Sequence, residues 1–224
     1  FTSTIGRKVL MALTGIFLIL FLAVHLAGNL QLLKDDNGAS FNHYAAFMST
    51  NPLIQVVSKV NFALILIHIL VAVILTLRNR SARGPVGYAE HSGKSSGWSS
   101  RNMGILGTLV LVFIVIHLKD FWAVMHFDEK MPTQEIEGVV YRNIYAVVNV
   151  WFHVGWYVAL YVFCMAAVGF HLWHGFASAF QSLGLNHLKY NGLINFVGKA
   201  FAVIVPLLFA VIPVIMYTRP MPNP

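Results

Sequence analysis

The sequence predicts an all-α integral membrane bundle of five transmembrane helices, a single domain over residues 1–224. Three observations carry this. Of the 224 residues 58% are hydrophobic and only 10% are charged, with a mean hydropathy of +0.70. That is too little charge to cover the surface of a water-soluble domain of this size. The apolar residues fall into runs longer than the roughly 20 residues that cross a bilayer core. The charges collect between the runs and alternate in sign along the chain.

The first run covers about Val9 to Leu33 and the second about Leu53 to Leu77. The third covers about Met103 to Phe127, the fourth about Ile144 to Phe180 and the fifth about Phe196 to Tyr217. Lipid satisfies no backbone group and no barrel-like alternation is present, so the spans are expected to be helices. The fourth is long enough to tilt or protrude. Pro206 and Pro213 lie in the fifth and are expected to bend it.

Fifteen basic residues against eight acidic ones give a net charge of +7. In a membrane protein this excess sets topology and does not indicate nucleic acid. Arg7 and Lys8 precede the first span. Arg78, Arg80, Arg83, Lys94 and Arg101 follow the second with only Glu90 against them, and Lys189 and Lys199 follow the fourth. The other two connections hold the acids: Asp35 and Asp36 beside Lys34, then Asp128, Glu129, Glu135 and Glu137 against Lys130 and Arg142. The expectation is an N-terminus in the cytoplasm and a C-terminus outside. The stretch Gly84 to Ser100 reads as a mobile cytoplasmic loop, and no connection has the length of a catalytic domain. Phe1 to Lys8 carry no cleavable signal pattern. The lone Cys164 excludes an intrachain disulfide, a cysteine-bound iron–sulfur cluster and a CxxCH haem attachment.

Four of the ten histidines, His25, His68, His117 and His171, lie deep in four different spans. A single histidine at such depth is more often hydrogen-bonded to a neighbouring helix than functional. Four of them, one per helix, point to a task. His25 and His117 are ~8–10 residues from the outer ends of their spans, and His68 and His171 ~9–10 from the inner ends, or ~12–15 Å by helical rise. This sorts them into an outer pair, His25 with His117, and an inner pair, His68 with His171. Haem iron accepts neutral imidazole, so the sequence predicts two bis-histidine b haems stacked across the membrane. Gly28, Gly169 and Gly175 allow close approach of a macrocycle or of a helix, and helix packing is the commoner reason for such glycines. His174 is placed to contact a propionate or a neighbouring helix. His153 stands eighteen residues before His171, which puts both on one face of a continuous helix, near the outer haem or a quinone. His43, His91, His126 and His187 belong to connections or span ends.

With these residues in view, the chain resembles the cytochrome b membrane anchor of succinate:quinone oxidoreductase and fumarate reductase, in its single-chain, five-helix, dihaem form (the cytochrome b558 group). The likeness lies in GRKVLMALTGIFLILFLAVHLAGNLQLL, with Thr14 to His25 the most specific stretch, then in IHLKDFW around His117 and FHLWHGFASAFQSLG from Phe170 to Gly184. His68 in LILIHILVA matches by position. The resemblance covers almost the whole chain.

It implies that the four histidines are the axial ligands in the pairs given above. It also implies a flavoprotein subunit with FAD, an iron–sulfur subunit, and a quinone, menaquinone in this group, as acceptor. The complex would be respiratory complex II of the tricarboxylic acid cycle, in a bacterial cytoplasmic membrane, with an oligomer of the whole complex allowed. Where some dihaem relatives carry a proton-transferring glutamate, this chain has Gly169. Quinone is expected on the outer side, near Asn29, Gln31, Asn42, His43, Tyr44 and His153. Of the basic face of Arg7, Lys8, Arg78, Arg80, Arg83, Lys94 and Arg101, most are read as topology signals and lipid-headgroup contacts, and a subset is expected to meet the iron–sulfur subunit. Two other readings stand beside this one: a haem b anchor of a hydrogenase or formate dehydrogenase, and a haem-free proton-coupled transporter, for which the repeats and broken helices are not evident. The thirteen-residue histidine spacing of quinol:cytochrome c oxidoreductase is absent from every span.

Overall fold

The computed structural model describes residues 3–84 and 97–221. Glu90, His91 and Lys94 lie outside the described residues, as does most of the expected loop from Gly84 to Ser100. The elements run α1 (Thr4–Asn29), a 3-10 turn (Leu30–Leu33), α2 (Ala39–Thr50), α3 (Pro52–Arg83), α4 (Trp98–Arg101) and α5 (Met103–His117). A π turn (Leu118–Ala123) and α6 (Val124–Phe127) continue α5. Then come β1 (Thr133–Ile136), β2 (Val139–Arg142), α7 (Ile144–Phe152), α8 (Gly155–Ser182) and α9 (Leu188–Thr218). Five helical runs are long and apolar enough to cross a membrane: Thr4–Leu33, Pro52–Ala82, Met103–Phe127, Gly155–Ser182 and Leu188–Thr218.

Local chemistry sets the ends. The Ser3 side chain accepts the Gly6 N–H at 3.1 Å to start α1, and Asn51 accepts from Leu53 and Ile54 at 3.0 and 3.3 Å to start α3, with Pro52 in the first turn. Between β1 and β2, Glu137 and Gly138 both have positive φ, 52° and 79°, as a two-residue hairpin turn requires. The strands pair antiparallel from Ile136 with Val139 to Thr133 with Arg142.

Helix α8 is the centre of the bundle and packs on α1, α5 and α9. α3 packs on α1 and α2 at the margin. The α8–α9 contact is close for a particular reason. Pro206 has no N–H to give the carbonyl four residues back, and the Ala202 oxygen lies where a Cβ on Gly169 would stand at 3.1 Å. Gly169 is thus the residue that lets the proline turn of α9 sit against α8. The helix runs through both Pro206 and Pro213, which are buried.

The fourth span differs from the sequence expectation of one helix from Ile144 to Phe180. It divides into α7 and α8 at His153 and Val154, where Val154 turns extended, φ −96° and ψ 107°. His153 puts Nδ1 2.7 Å from the Asn149 carbonyl and Nε2 3.0 Å from the Arg219 carbonyl. Arg219 in turn donates to the Leu33 carbonyl at 2.6 Å. The break ties the ends of α7, α9 and the 3-10 turn together. His153 and His171 therefore do not share one continuous helix.

The first connection holds α2 and the third holds the hairpin. Asn42 joins them. It is fully buried, donates from Nδ2 to Gln134 Oε1 at 2.7 Å and to Asn143 Oδ1 at 2.8 Å, and accepts the Tyr145 N–H at 2.9 Å. Replacing it with leucine strands these partners. Asn42→Leu should lower stability by about 2–4 kcal/mol, read as a fall in the midpoint of thermal unfolding in detergent; an unchanged midpoint would contradict this role.

Candidate functional site

The four intramembrane histidines meet in two pairs. The His25 ring on α1 lies 5.8 Å, centroid to centroid, from that of His117 at the end of α5, with the planes at 89°. The His68 ring on α3 lies 6.4 Å from that of His171 on α8, with the planes at 63°. Each pair joins two helices, α1 with α5 and α3 with α8, neither of which is among the closely packed pairs of the bundle. All four residues are half-buried. Among the described residues no group of three or more His, Cys, Asp or Glu side chains is placed to hold a lone metal ion.

Hydrogen bonds decide which ring nitrogen is available. Thr14 Oγ1 lies 3.0 Å from the carbonyls of Leu10 and Met11 and 2.9 Å from His68 Nδ1. A hydroxyl has one proton, and here it goes to a backbone carbonyl. The oxygen then accepts from His68 Nδ1–H, which leaves the lone pair on Nε2. His117 Nδ1 lies 3.1 Å from the Tyr161 hydroxyl. Among the described residues nothing hydrogen-bonds Nε2 of His68, His117 or His171. His171 Nδ1 is buried without a partner. The Asn29 amide gives its short bond, 2.8 Å, to the His25 carbonyl and stands 3.4 Å from both ring nitrogens of His25.

Neighbouring groups are small or aromatic. A Cβ on Gly15 would stand 3.6 Å from His68 Cε1, and one on Gly107 3.9 Å from His171 Cε1. Phe21 stacks on His25 at 5.2 Å, and Phe113 and Phe121 flank His117 at 5.7 and 5.5 Å.

The other residues singled out from the sequence divide. Gly28 receives the Tyr44 ring, which any Cβ there would strike, and Gly175 faces the end of Met103 at 3.8 Å. His174 Nε2 bonds Ser178 at 3.0 Å on its own helix. His43 is exposed and meets Tyr141 edge-on at 5.7 Å. Gln31 is half-buried in the 3-10 turn. The side-chain bonds of Asn42 go to protein groups, and His153 closes the α7–α8 break. Asn42 and His153 thus spend their side-chain bonds within the protein, and Tyr44 packs at Gly28. Sequence reasoning missed Thr14, Tyr161 and the π turn. Thr14 carried a signal, a hydroxyl deep in an apolar run; Tyr161, forty-four residues from His117, carried none.

No known family pattern matches the chain, and no characterised protein or solved structure shows significant similarity to it.

Replacing Thr14 with valine keeps the shape and removes the acceptor of His68 Nδ1–H. Thr14→Val should weaken whatever binds at the His68–His171 pair by about tenfold while leaving the His25–His117 pair unaffected, measured by titration of the purified protein with haem. Equal weakening at both pairs, or none, would contradict the assignment.

Proposed function

We propose that this chain is the membrane anchor and electron-transfer subunit of a succinate:quinone oxidoreductase or fumarate reductase, with two b haems held by His25 with His117 and by His68 with His171. The observation that carries the haem part is the pair of cross-bundle histidine contacts. Two imidazole nitrogens bound on opposite sides of one metal, each at about 2 Å, place the ring centres about 6 Å apart; the two pairs stand at 5.8 and 6.4 Å. Two donors per site would suit haem, which supplies the rest of the coordination of its iron. The lone pairs left on Nε2 of His68 and His117 suit it as well. The partners, a flavoprotein with FAD and an iron–sulfur subunit, rest on the resemblance of the His25, His117 and His171 stretches to the family.

When bound, haem supplies one-electron chemistry at its iron. The chain's own residues do the rest. The histidines hold the two centres at different depths on four helices. Phe21, Phe113 and Phe121 crowd the first pair with apolar surface and keep water from it. Thr14 and Tyr161 set the tautomer of one histidine in each pair. The N-terminal end of α1, with Arg7 and Lys8, shares a side of the bundle with Arg78, Arg80 and Arg101, the expected cytoplasmic face and partner surface. A haem at His68 and His171 would lie nearer that face than one at His25 and His117. Quinone would react at the hairpin end, on the side of His25 and His117, where Asn29, Gln31, His43 and Tyr44 lie.

Pyridine haemochrome analysis of the intact chain should give two haems. His25→Ala or His117→Ala should remove one, and His68→Ala or His171→Ala the other. In the assembled complex succinate should reduce both haems. His25→Ala should keep dye-linked succinate oxidation and lose quinone reduction. One haem or none per chain would sink the haem assignment; reduction by hydrogen or formate in place of succinate would assign the anchor to a different enzyme.

A further inference from the structure

One buried ionisable group in the bundle has no part in the ligand pairs. Asp120 sits in the π turn that follows His117. It is 4% exposed, and its Oδ1 is 2.9 Å from the ammonium of Lys119, which is 73% exposed. The π turn widens the helix here, so that Asp120 and Phe121 face inward while their neighbour Lys119 reaches out. Oδ2 accepts the hydroxyl of Tyr157 at 2.9 Å. The Tyr157 and Tyr161 oxygens are 3.5 Å apart, and Tyr161 is 3.1 Å from His117 Nδ1. Tyr157 and Tyr161 lie one turn apart on α8 and are almost wholly buried. The five groups form one line from the lysine at the surface to the imidazole.

The line has a direction. A carboxylate held against an ammonium only accepts, so Tyr157 spends its single proton on Asp120. The Tyr157 oxygen is then left to accept from Tyr161. Tyr161, having donated, accepts from His117 Nδ1–H. Every donor points toward Asp120, and the lone pair of His117 is forced onto Nε2. The comparable contact at His68 ends on a neutral backbone carbonyl through Thr14.

We propose that Asp120, acting through Tyr157 and Tyr161, is a positioning residue for His117: it fixes the ring's tautomer and strengthens it as a ligand, so that one of the two redox centres is held at a lower potential than it would otherwise have. This rests on the haem assignment of the His25–His117 pair. A carboxylate that orders the N–H of a metal-bound histidine raises the ligand's basicity, which favours the oxidised, more positive iron.

The test is an optical redox titration of the purified chain with its haems bound, for the wild type, Asp120→Asn, Asp120→Glu, Tyr157→Phe and Tyr161→Phe. Asp120→Asn and both phenylalanine variants should raise the midpoint potential of one haem by about tenfold in its reduction equilibrium, ~59 mV, and leave the other in place. Asp120→Glu should stay near the wild type. Three variants interrupt the line at different points, so a folding failure in one leaves two that decide. Lowered thermal stability with both potentials unmoved would reduce the line to a structural tether and overturn the proposal, as would equal shifts in both haems. A wild-type chain that holds no haem would sink the proposed function, and this inference with it.

Discussion

A neutral imidazole inside a bilayer carries one N–H and one lone pair, and no water reaches either. Unmatched, each costs a few kcal/mol. Much of this bundle is arranged around that constraint. In His68 the N–H is taken by Thr14, a residue whose own proton is already committed to the helix backbone. In His117 it is taken by Tyr161. Each of these two rings stands beside a second histidine across the bundle, at 5.8 Å for His117 and 6.4 Å for His68. A ring bonded at Nδ1 and open at Nε2 keeps a lone pair for the proposed iron.

The helix arrangement follows from what these rings need. α8 supplies His171 to one pair and Tyr161 to the other, so the most buried helix carries parts of both sites. Its tight seat on α9, through Gly169 and the proline-freed carbonyl of Ala202, leaves its remaining faces for α1 and α5. At the hairpin end, Asn42, His153 and Arg219 lock α2, the hairpin, α7 and the last turn of α9 into one cap. That cap fixes where α1 and α5 end, and with them the depth of His25 and His117.

Hydropathy placed all five spans, because a bilayer leaves a long apolar run few alternatives. It placed the third run at its observed bounds, Met103 to Phe127. It did not separate α7 from α8, because the break lies in two residues, His153 and Val154, within an apolar stretch, and the carbonyl of Arg219 that helps hold it comes from the far end of the chain. Helical rise alone matched His25 with His117 and His68 with His171, since depth in an up-and-down bundle is a linear coordinate. The tyrosines behind His117 were out of reach of that reasoning. Tyr157 and Tyr161 sit among apolar neighbours in α8, and only the packing of α5 on α8 brings them to Asp120 and to the imidazole. The environments of Asn42, His43 and Tyr44 have a similar origin: they are side by side in sequence, and α2 then buries Asn42, exposes His43 and seats Tyr44 against Gly28.

The central claim is that iron is held between paired imidazoles at two places in one chain. Low-temperature electron paramagnetic resonance of the oxidised, purified protein tests it most directly. Two low-spin ferric signals of the bis-imidazole type, of which one vanishes in His117→Ala and the other in His68→Ala, are what this account requires. High-spin signals alone, a single signal, or loss of both signals from either substitution in a folded chain would contradict it.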